Sequence, residues 1–491
     1  MNRSRTPYAW LCSTLGLLAL GLLLSGGPRT AFAEDPRPTS PPPGEPGMGE
    51  PAMGDAPAAP GDDEEDELPT GLNAQIEAAI NKGVAYLKSH QLPDGSWGLI
   101  EGNRAYGGGE MKGAEYKHPA GATALVLYTL LKCKVPVDDP YIKKGFAYLR
   151  SKQKIPGGSY ECAMMLLAVT AVADPFKKVK ASEAQGEKVK FPGGDWREWA
   201  QKLHDTLLEK RRKAGKGALG WRYQTPNTNP APGGEQDLSS TQLAALALLA
   251  AERCGIKTES KVWNDIITFA MAQQEDDGPE WPRAVYDRPP KGVDTSKLSD
   301  ADKSRYGPPA GAGKGEKDKA RGFCYIKSDS LEPREGKASG GMTACGIGSI
   351  VMSRYILMKR DDDAFKARDQ KAIQQSIYDG CAWLDANWSP WENPRSKYYG
   401  IYYLYCCERA FDLIGNLRLG NKQWYMDMAS QLVGRQNKEK GFWDSGTTHK
   451  PQEILDTSFA LLFLKRSTKG GIPYGSITGG SDEPAADNRG R

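Results

Sequence analysis

Two kinds of helical segment alternate six times along this chain, and that alternation limits the folds it can reach. Segments 71–91, 141–153, 196–213, 260–274, 366–388 and 422–436 place apolar residues at helical spacing on one face and charges on the other. Ile76, Ile80, Val84 and Leu87 show the spacing in the first of them. A helix of this kind buries one stripe and wets the rest. Segments 120–132, 160–172, 239–253, 341–358, 399–413 and 457–465 are rich in Gly, Ala, Ser, Thr, Cys and Leu, with charges mostly at their C-terminal ends. A helix that is apolar on every side must be buried on every side. Small faces let such helices approach closely. The expected fold is therefore all-α, an α6/α6 toroid with six inner helices inside six amphipathic outer ones.

The turns between the two kinds repeat as well. Gln91-Leu92-Pro93-Asp94-Gly95-Ser96-Trp97 joins the first pair, and Gln153 leads to Gly157-Gly158-Ser159-Tyr160 in the second. Gly220-Trp221 precedes the third inner segment, Gln274 leads to Gly278 in the fourth unit, and Gln436 leads to Gly441-Phe442-Trp443 in the last. Glycine supplies the positive φ that ends a helix. Glutamine can bond the free backbone groups of neighbouring helix ends, and the aromatic ring fills the gap between units. A sequence period of this size signals a repeat architecture.

Gln91-x-x-Asp94-Gly95-Ser96-Trp97 resembles the QW motif of squalene–hopene cyclases. The full alternation, over about residues 70–466, resembles the repeat of the prenyltransferase and squalene oxidase superfamily, whose members are terpenoid-cyclase-like and protein-prenyltransferase-like toroids. The stretch Asp237 to Gln242 and the pair Trp424-Tyr425 are similar to segments of exported bacterial members. The resemblance implies the fold; it does not select a reaction, because one fold hosts many.

The reactions of such proteins can be tested against the residues. A squalene-type cyclase resembles its relatives in a DxDD motif, whose middle acid protonates an alkene. No DxDD occurs here: Asp361-Asp362-Asp363 is followed by Ala364, and Asp138-Asp139 by Pro140, both better read as loop or helix-start acids. A protein prenyltransferase holds zinc with an Asp, a Cys two residues on and a distant His; the one D-x-C, Asp379-Gly380-Cys381, lies inside the amphipathic segment 366–388, which contains no histidine. His118 and His449, each ahead of an inner segment, could reach one rim, but with no CxxC and the one D-x-C on an outer segment neither a metal nor another cofactor is expected. The Cys-Gly-Glu-Gln string of thioester toroids is missing too.

An α/α toroid can also process polysaccharides with two carboxylates across a cleft. The candidate acids are Asp237, Glu161 and Asp456, with Glu408 beside Arg409. Asp237 and Asp456 also read as helix N-caps, and Glu408 as one half of a structural ion pair with Arg409 or with a group on a neighbouring helix. Trp221, Tyr223, Tyr398, Tyr399, Tyr402 and His118 are the candidate ligand-binding residues, since aromatic faces suit either an isoprenoid chain or a stacked sugar. Three functions follow: a binding or scaffold module taking an isoprenoid, a glycan or a protein partner, a terpenoid cyclase or isomerase with a displaced acid, or a carbohydrate-active lyase or hydrolase.

The ends and insertions complete the reading. Residues 1–33 have the pattern of a cleaved secretory leader, with Arg3 and Arg5, an apolar run from Trp10 to Leu24 and Ala31-Phe32-Ala33. Export to the periplasm or medium is expected, with no membrane anchor after cleavage. Residues 34–68 are a Pro-, Gly- and acid-rich linker without apolar periodicity. The toroid is expected over 69–467, with insertions at 173–195 and 278–338 and a tail at 468–491. The longer insertion reads either as a cover over one mouth of the barrel or as a solvated excursion. Basic residues are dispersed and not interleaved with aromatics, so no nucleic-acid groove is expected. The eight cysteines beyond the leader are expected as mainly free, buried thiols. Cys406 and Cys407, adjacent on one helix, diverge and do not readily bridge each other.

Overall fold

The computed structural model describes residues 70–101, 115–117, 119–152, 157–174, 189–213, 218–222, 236–286, 316–327, 337–396, 398–416, 418–445 and 452–469. The leader, the linker, His118, Tyr223, His449 and nearly all of the expected tail lie outside the described residues. The amphipathic segments form α1 (Thr70–Ser89), α3 (Pro140–Lys152), α5 (Trp196–Lys213), α7 (Ser260–Ala272), α10 (Gln370–Ala386) and α12 (Trp424–Arg435). The apolar ones form α2 (Pro119–Lys132), α4 (Ser159–Ala171), α6 (Leu238–Arg253), α8 (Gly340–Lys359), α11 (Gly400–Ile414) and α13 (Glu453–Leu464). A single turn, α9 (Asp363–Lys366), lies between α8 and α10.

The apolar helices α2, α4, α6, α8, α11 and α13 pack each on the next and the last on the first, so the inner ring closes. They run parallel where their contacts are resolved. Gly121 meets Glu161 across α2 and α4, Cys345 meets Cys406 across α8 and α11, and Tyr402 meets Phe459 across α11 and α13. The amphipathic helices cover them from outside: α1 on α13, α3 on α2, α5 on α4, α7 and α10 on α8, and α12 on α13 and α1. The protein is an α6/α6 toroid.

Burial follows the composition. Every residue of α11, and every residue of α6 from Leu238 to Ala251, is buried. In α7 only one stripe, including Val262, Trp263, Ile266, Ile267 and Ala270, turns inward. Helix α8 is long and apolar enough to cross a membrane. Here it is a core helix, enclosed by α6, α7, α10 and α11.

A recurrent bolt ties three of the outer helices, α1, α5 and α12, to the inner helices that follow them. The Trp97 backbone N–H donates to Thr123 Oγ1 on α2 (2.8 Å), and its indole N–H donates to the Leu87 carbonyl on α1 (2.7 Å). Trp221 does the same with Thr241 (3.0 Å) and Leu207 (2.8 Å), and Trp443 with Thr457 (3.0 Å) and Leu432 (2.8 Å). Phe323 N–H donates to Thr343 Oγ1 (3.0 Å) in the fourth unit. The indole adds a second donor to carbonyls that already accept a backbone bond, Leu87 O from His90 N–H and Leu432 O from Gln436 N–H, and the ring buries a large apolar surface. The glutamines act between units. Gln91 Nε2 donates to the Gly95 carbonyl and to the Tyr141 carbonyl at the start of α3, both at 2.9 Å. Gln436 Nε2 donates to Gly441 O and to Ala79 O on α1, both at 2.8 Å, and so joins the last unit to the first.

Two of the bolts also need room on the next outer helix. A Cβ on Gly145 would lie 3.0 Å from the Trp97 ring and 2.8 Å from Leu127, and one on Gly83 would lie 2.9 Å from the Trp443 ring. Glycine at these mid-helix positions permits the close approach and is less favourable there than alanine by about 1 kcal/mol in helix propensity.

Of the long insertion, Phe323 and Tyr325 reach the starts of inner helices α8 and α6, while its strands dock on the outside of the ring. Strand β3 (Glu280–Pro282) pairs antiparallel with β4 (Lys317–Lys319), and the hairpin packs on α10. Arg283 stacks over Tyr378 (4.0 Å) and binds the buried Asp318 carboxylate through two N–H groups, at 2.8 and 3.1 Å. Trp281 donates to Asp385 Oδ2 (2.7 Å), and Arg321 Nε to Asp379 (2.8 Å). A second short pair, β1 (Leu99–Glu101) with β2 (Glu115–Lys117), precedes α2.

Candidate functional site

Helix α11 carries Tyr402, Tyr405, Cys406 and Arg409. These positions stand three, four and seven residues after the first, so they share one helix face. That face turns into the ring. The Tyr405 ring stacks on Phe459 of α13 with centroids 5.2 Å apart, and Tyr402 meets the same ring edge-on at 5.3 Å. Arg409 lies over the Tyr405 ring at 4.0 Å, and its Nη2–H donates to Cys406 Sγ at 3.1 Å. From α8, Cys345 Sγ donates to Cys406 Sγ at 3.6 Å and lies 3.9 Å from the Tyr402 hydroxyl. Tyr160 of α4 and Tyr128 of α2 are close enough for the Arg409 charge to lower their phenols, although burial raises both by more. Five of the six inner helices thus converge on one guanidinium.

The electrostatics of this cluster are unusual for a core. Arg409 is 1% exposed, yet its Nε and Nη1 have no hydrogen-bond partner. Gln242 of α6 is likewise buried with both side-chain amide atoms unpartnered, its Nε2 3.7 Å from where a Cβ on Gly348 of α8 would stand. Buried polar atoms are nearly always satisfied, and each exception needs a cause. Burial pushes the Cys406 thiol up, but the Cys345 hydrogen bond and the Arg409 charge together outweigh it and bring the thiol down to about 7. Cys407, one residue on, faces away and is raised by burial.

The expected ion pair of Glu408 with Arg409 does not form. Neighbouring helical residues point about 100° apart. Glu408 turns to the segment after α13, where its Oε1 accepts from Thr468 N–H (2.8 Å) and Thr468 Oγ1 (2.9 Å). One turn further, Asp412 accepts from Arg466 Nε at 3.0 and 3.1 Å.

The three acids singled out from the sequence stand in the leading turns of inner helices. Asp237 caps α6: its Oδ1 accepts from Ser240 N–H and Ser239 Oγ, both at 2.7 Å, while Oδ2 is buried and unpartnered. Glu161 is half-buried in the first turn of α4, against Gly121. Asp456 is no cap, because α13 begins at Glu453 and places it within the first turn. Its Oδ2 accepts from Ser445 N–H at 2.7 Å. Asp237 and Asp456 are thus each occupied beside their own turn. Of the aromatic candidates, Tyr402 lines the interior, Trp221 is a bolt, and Tyr398 is 38% exposed. Tyr399 is half-buried and precedes α11 at a φ of 64°. An open depression along α5, between Arg197, Gln201, Asp205 and Glu209, is a mixed-charge helix surface without the convergent polar set of the interior.

Burial raises the Asp456 carboxyl from 3.8 to about 7, against the lowering effect of the Ser445 hydrogen bonds. The folded chain therefore keeps a proton that the unfolded chain releases above about pH 4. The resulting stability is complete below the unfolded value and is lost as pH rises through about 7. Asp456→Asn is expected to remove this dependence, so that the fall in urea midpoint from about pH 5 to pH 8 is smaller in the variant than in the wild type. Equal falls would contradict the buried, protonated carboxyl.

No protein-family model matches the chain, and no curated protein sequence matches it. Among solved structures it is similar to the type II terpene cyclase MstE from Scytonema, at 12% identity and a TM-score of 0.43, over 81% of this chain and 99% of that one. It is similar to the GH76A α-1,6-mannanase from Salegentibacter sp. HEL1_6, at 11% identity and a TM-score of 0.42, over 80% and 98%. It is also similar to an unsaturated glucuronyl hydrolase specific for heparin, at 11% identity and a TM-score of 0.46, over 80% and 97%. At these scores the likenesses carry no argument about function.

Proposed function

We propose that this toroid is a binding protein whose interior takes one small ligand with an anionic group, set against Arg409 and flanked by Tyr402, Tyr405 and Phe459. The observation that carries the reading is a guanidinium buried in the ring with Nε and Nη1 unpartnered. A buried charge needs a partner, and a guanidinium fork matches a carboxylate or phosphate through two parallel N–H bonds. Aromatic walls beside it favour an apolar chain or a sugar ring. A prenyl diphosphate and an acidic sugar share this chemistry. The absence of DxDD from the sequence supports binding over cyclisation, and the one D-x-C, Asp379-Gly380-Cys381, lies on outer helix α10 with Asp379 already bonded to Arg321 and no cluster of three metal-ligating side chains among the described residues. The leader-like first 33 residues support a role after export, which the N-terminal mass of the protein from its own cells checks.

Arg409→Met keeps the volume and removes the charge. Replacing a buried charge by an apolar side chain is often neutral or stabilising, so the variant is expected to fold with an unchanged or higher Tm. Wild-type protein at 100-fold excess of ligand over Kd gains about 2.7 kcal/mol, a shift of several degrees. Farnesyl diphosphate and a uronic acid disaccharide are the two probes, and a shift with one of them identifies the source of the anion. The shift is expected in the wild type and not in Arg409→Met. No shift with either, together with no anion in a denaturing extract of the native protein, would defeat the reading.

A further inference from the structure

We propose that Cys345 and Cys406 form a peroxide-reactive thiol pair inside the toroid, with Cys406 attacking the peroxide and Cys345 closing a disulfide onto it. The inference rests on the geometry of the two sulfurs and is independent of which ligand occupies the interior.

Three features point to it. The sulfurs are 3.6 Å apart on neighbouring inner helices, with Cys345 donating toward Cys406. The helices are close at this level: one turn earlier, a Cβ on Gly341 of α8 would lie 3.9 Å from the Tyr403 Cα of α11. A disulfide needs Cα atoms about 4.4–6.8 Å apart, a separation that tightly packed helices with small side chains can reach. The Arg409 guanidinium donates to the Cys406 sulfur at 3.1 Å and stabilises its thiolate, which is the reactive form. The thiol lowered to about 7 agrees with that contact. The sequence also supplies an internal contrast. Cys407 is equally buried on the same helix, but its thiol is raised rather than lowered.

Access sets the oxidant. Both sulfurs are buried, so a protein disulfide cannot reach them. The unpartnered Arg409 and Gln242 atoms offer hydrogen bonds to a small polar molecule, and hydrogen peroxide is little larger than water. The Cys406 thiolate attacks one peroxide oxygen. The O–O bond breaks, an S–O bond forms, and the departing hydroxide takes a proton to become water. The Cys345 thiol then loses its proton and attacks the Cys406 sulfenic sulfur. The S–O bond breaks, the S–S bond forms, and a second water leaves. Two thiols lose two electrons and two protons, and one peroxide becomes two waters.

The test treats the native full chain with hydrogen peroxide at pH 7, then blocks remaining thiols and maps them by mass spectrometry. The expected product has lost about 2 Da and links the Cys345 peptide to the Cys406 peptide. Cys345→Ala should stop at a sulfenic acid on Cys406, trapped by a dimedone reagent. Arg409→Met should slow the reaction about tenfold, since its thiolate fraction at pH 7 falls toward that of an ordinary cysteine. Cys407→Ala should change nothing. Because all the variants are checked for a wild-type circular dichroism spectrum, a folding defect cannot imitate these results. The proposal is overturned if Cys406 reacts no faster than Cys407, or if Cys406 oxidises while Cys345 stays free in the wild type.

Discussion

Trp221→Ala is expected to destabilise the toroid by about 3–5 kcal/mol, read as a fall in urea midpoint. Trp221 is fully buried, its indole N–H donates to Leu207 O, and its backbone N–H donates to Thr241 Oγ1. Removal of the ring opens a cavity between α5 and α6 and leaves the Leu207 carbonyl without that donor. It also removes the aromatic face 5.5 Å from the Arg211 guanidinium. Trp221→Phe retains most of the apolar surface and loses the indole hydrogen bond, at a cost of about 1 kcal/mol beyond the difference in volume. The result separates two roles for this residue. A ligand-contacting tryptophan would lose binding with stability nearly unmoved. A bolt loses stability, and the ligand-induced shift persists in whatever protein remains folded. A loss below about 1 kcal/mol for the alanine variant would refute the bolt.

Asp412→Ala is the second large effect, with an expected loss of about 3–5 kcal/mol. The Asp412 side chain is fully buried, and that of Arg466 is 9% exposed. Arg466 Nε reaches both carboxylate oxygens, at 3.0 and 3.1 Å, while the guanidinium lies 5.4 Å from the Trp424 ring centroid and 5.0 Å from that of Tyr425. Burial and the neighbouring Glu408 push the Asp412 carboxyl up, whereas the direct Arg466 contacts favour its charged form, and the attraction between the charges offsets their removal from water only while both are present. Without Asp412 the guanidinium stays enclosed by aromatic rings with its main partner gone. The double variant Asp412→Ala/Arg466→Met removes that unpaired charge and should recover most of the loss. Additive losses in the double variant would mean that the two residues act independently.

These effects also mark how far the sequence could be read. The alternation of helix types, the Gly–aromatic turns and the all-round apolar inner segments were visible, because each is a local pattern with a helical period. The threonines that receive the bolts had a signal as well. Thr123, Thr241, Thr343 and Thr457 each stand within the first five residues of an inner helix, but the sequence reading passed over them. The interior face of α11 had one too, in the spacing of Tyr402, Tyr405, Cys406 and Arg409. What obscured it was the adjacent pair Glu408-Arg409, which reads as an ion pair although a helix points the two apart.

The order of the helices, their inner or outer place and the identity of the buried faces were determined by sequence alone, since periodicity and side-chain size act over a few residues. The partners in the interior were decided only by tertiary structure. Cys345 and Cys406 are 61 residues apart, Glu408 and Thr468 are 60 apart, and Gln436 and Ala79 are 357 apart. Each of these pairs depends on the register of packed helices, or on closure of the ring, and neither is encoded in a short stretch of chain. A shift of one helix by a single turn would move its side chains by about 5.4 Å, more than a hydrogen bond can span.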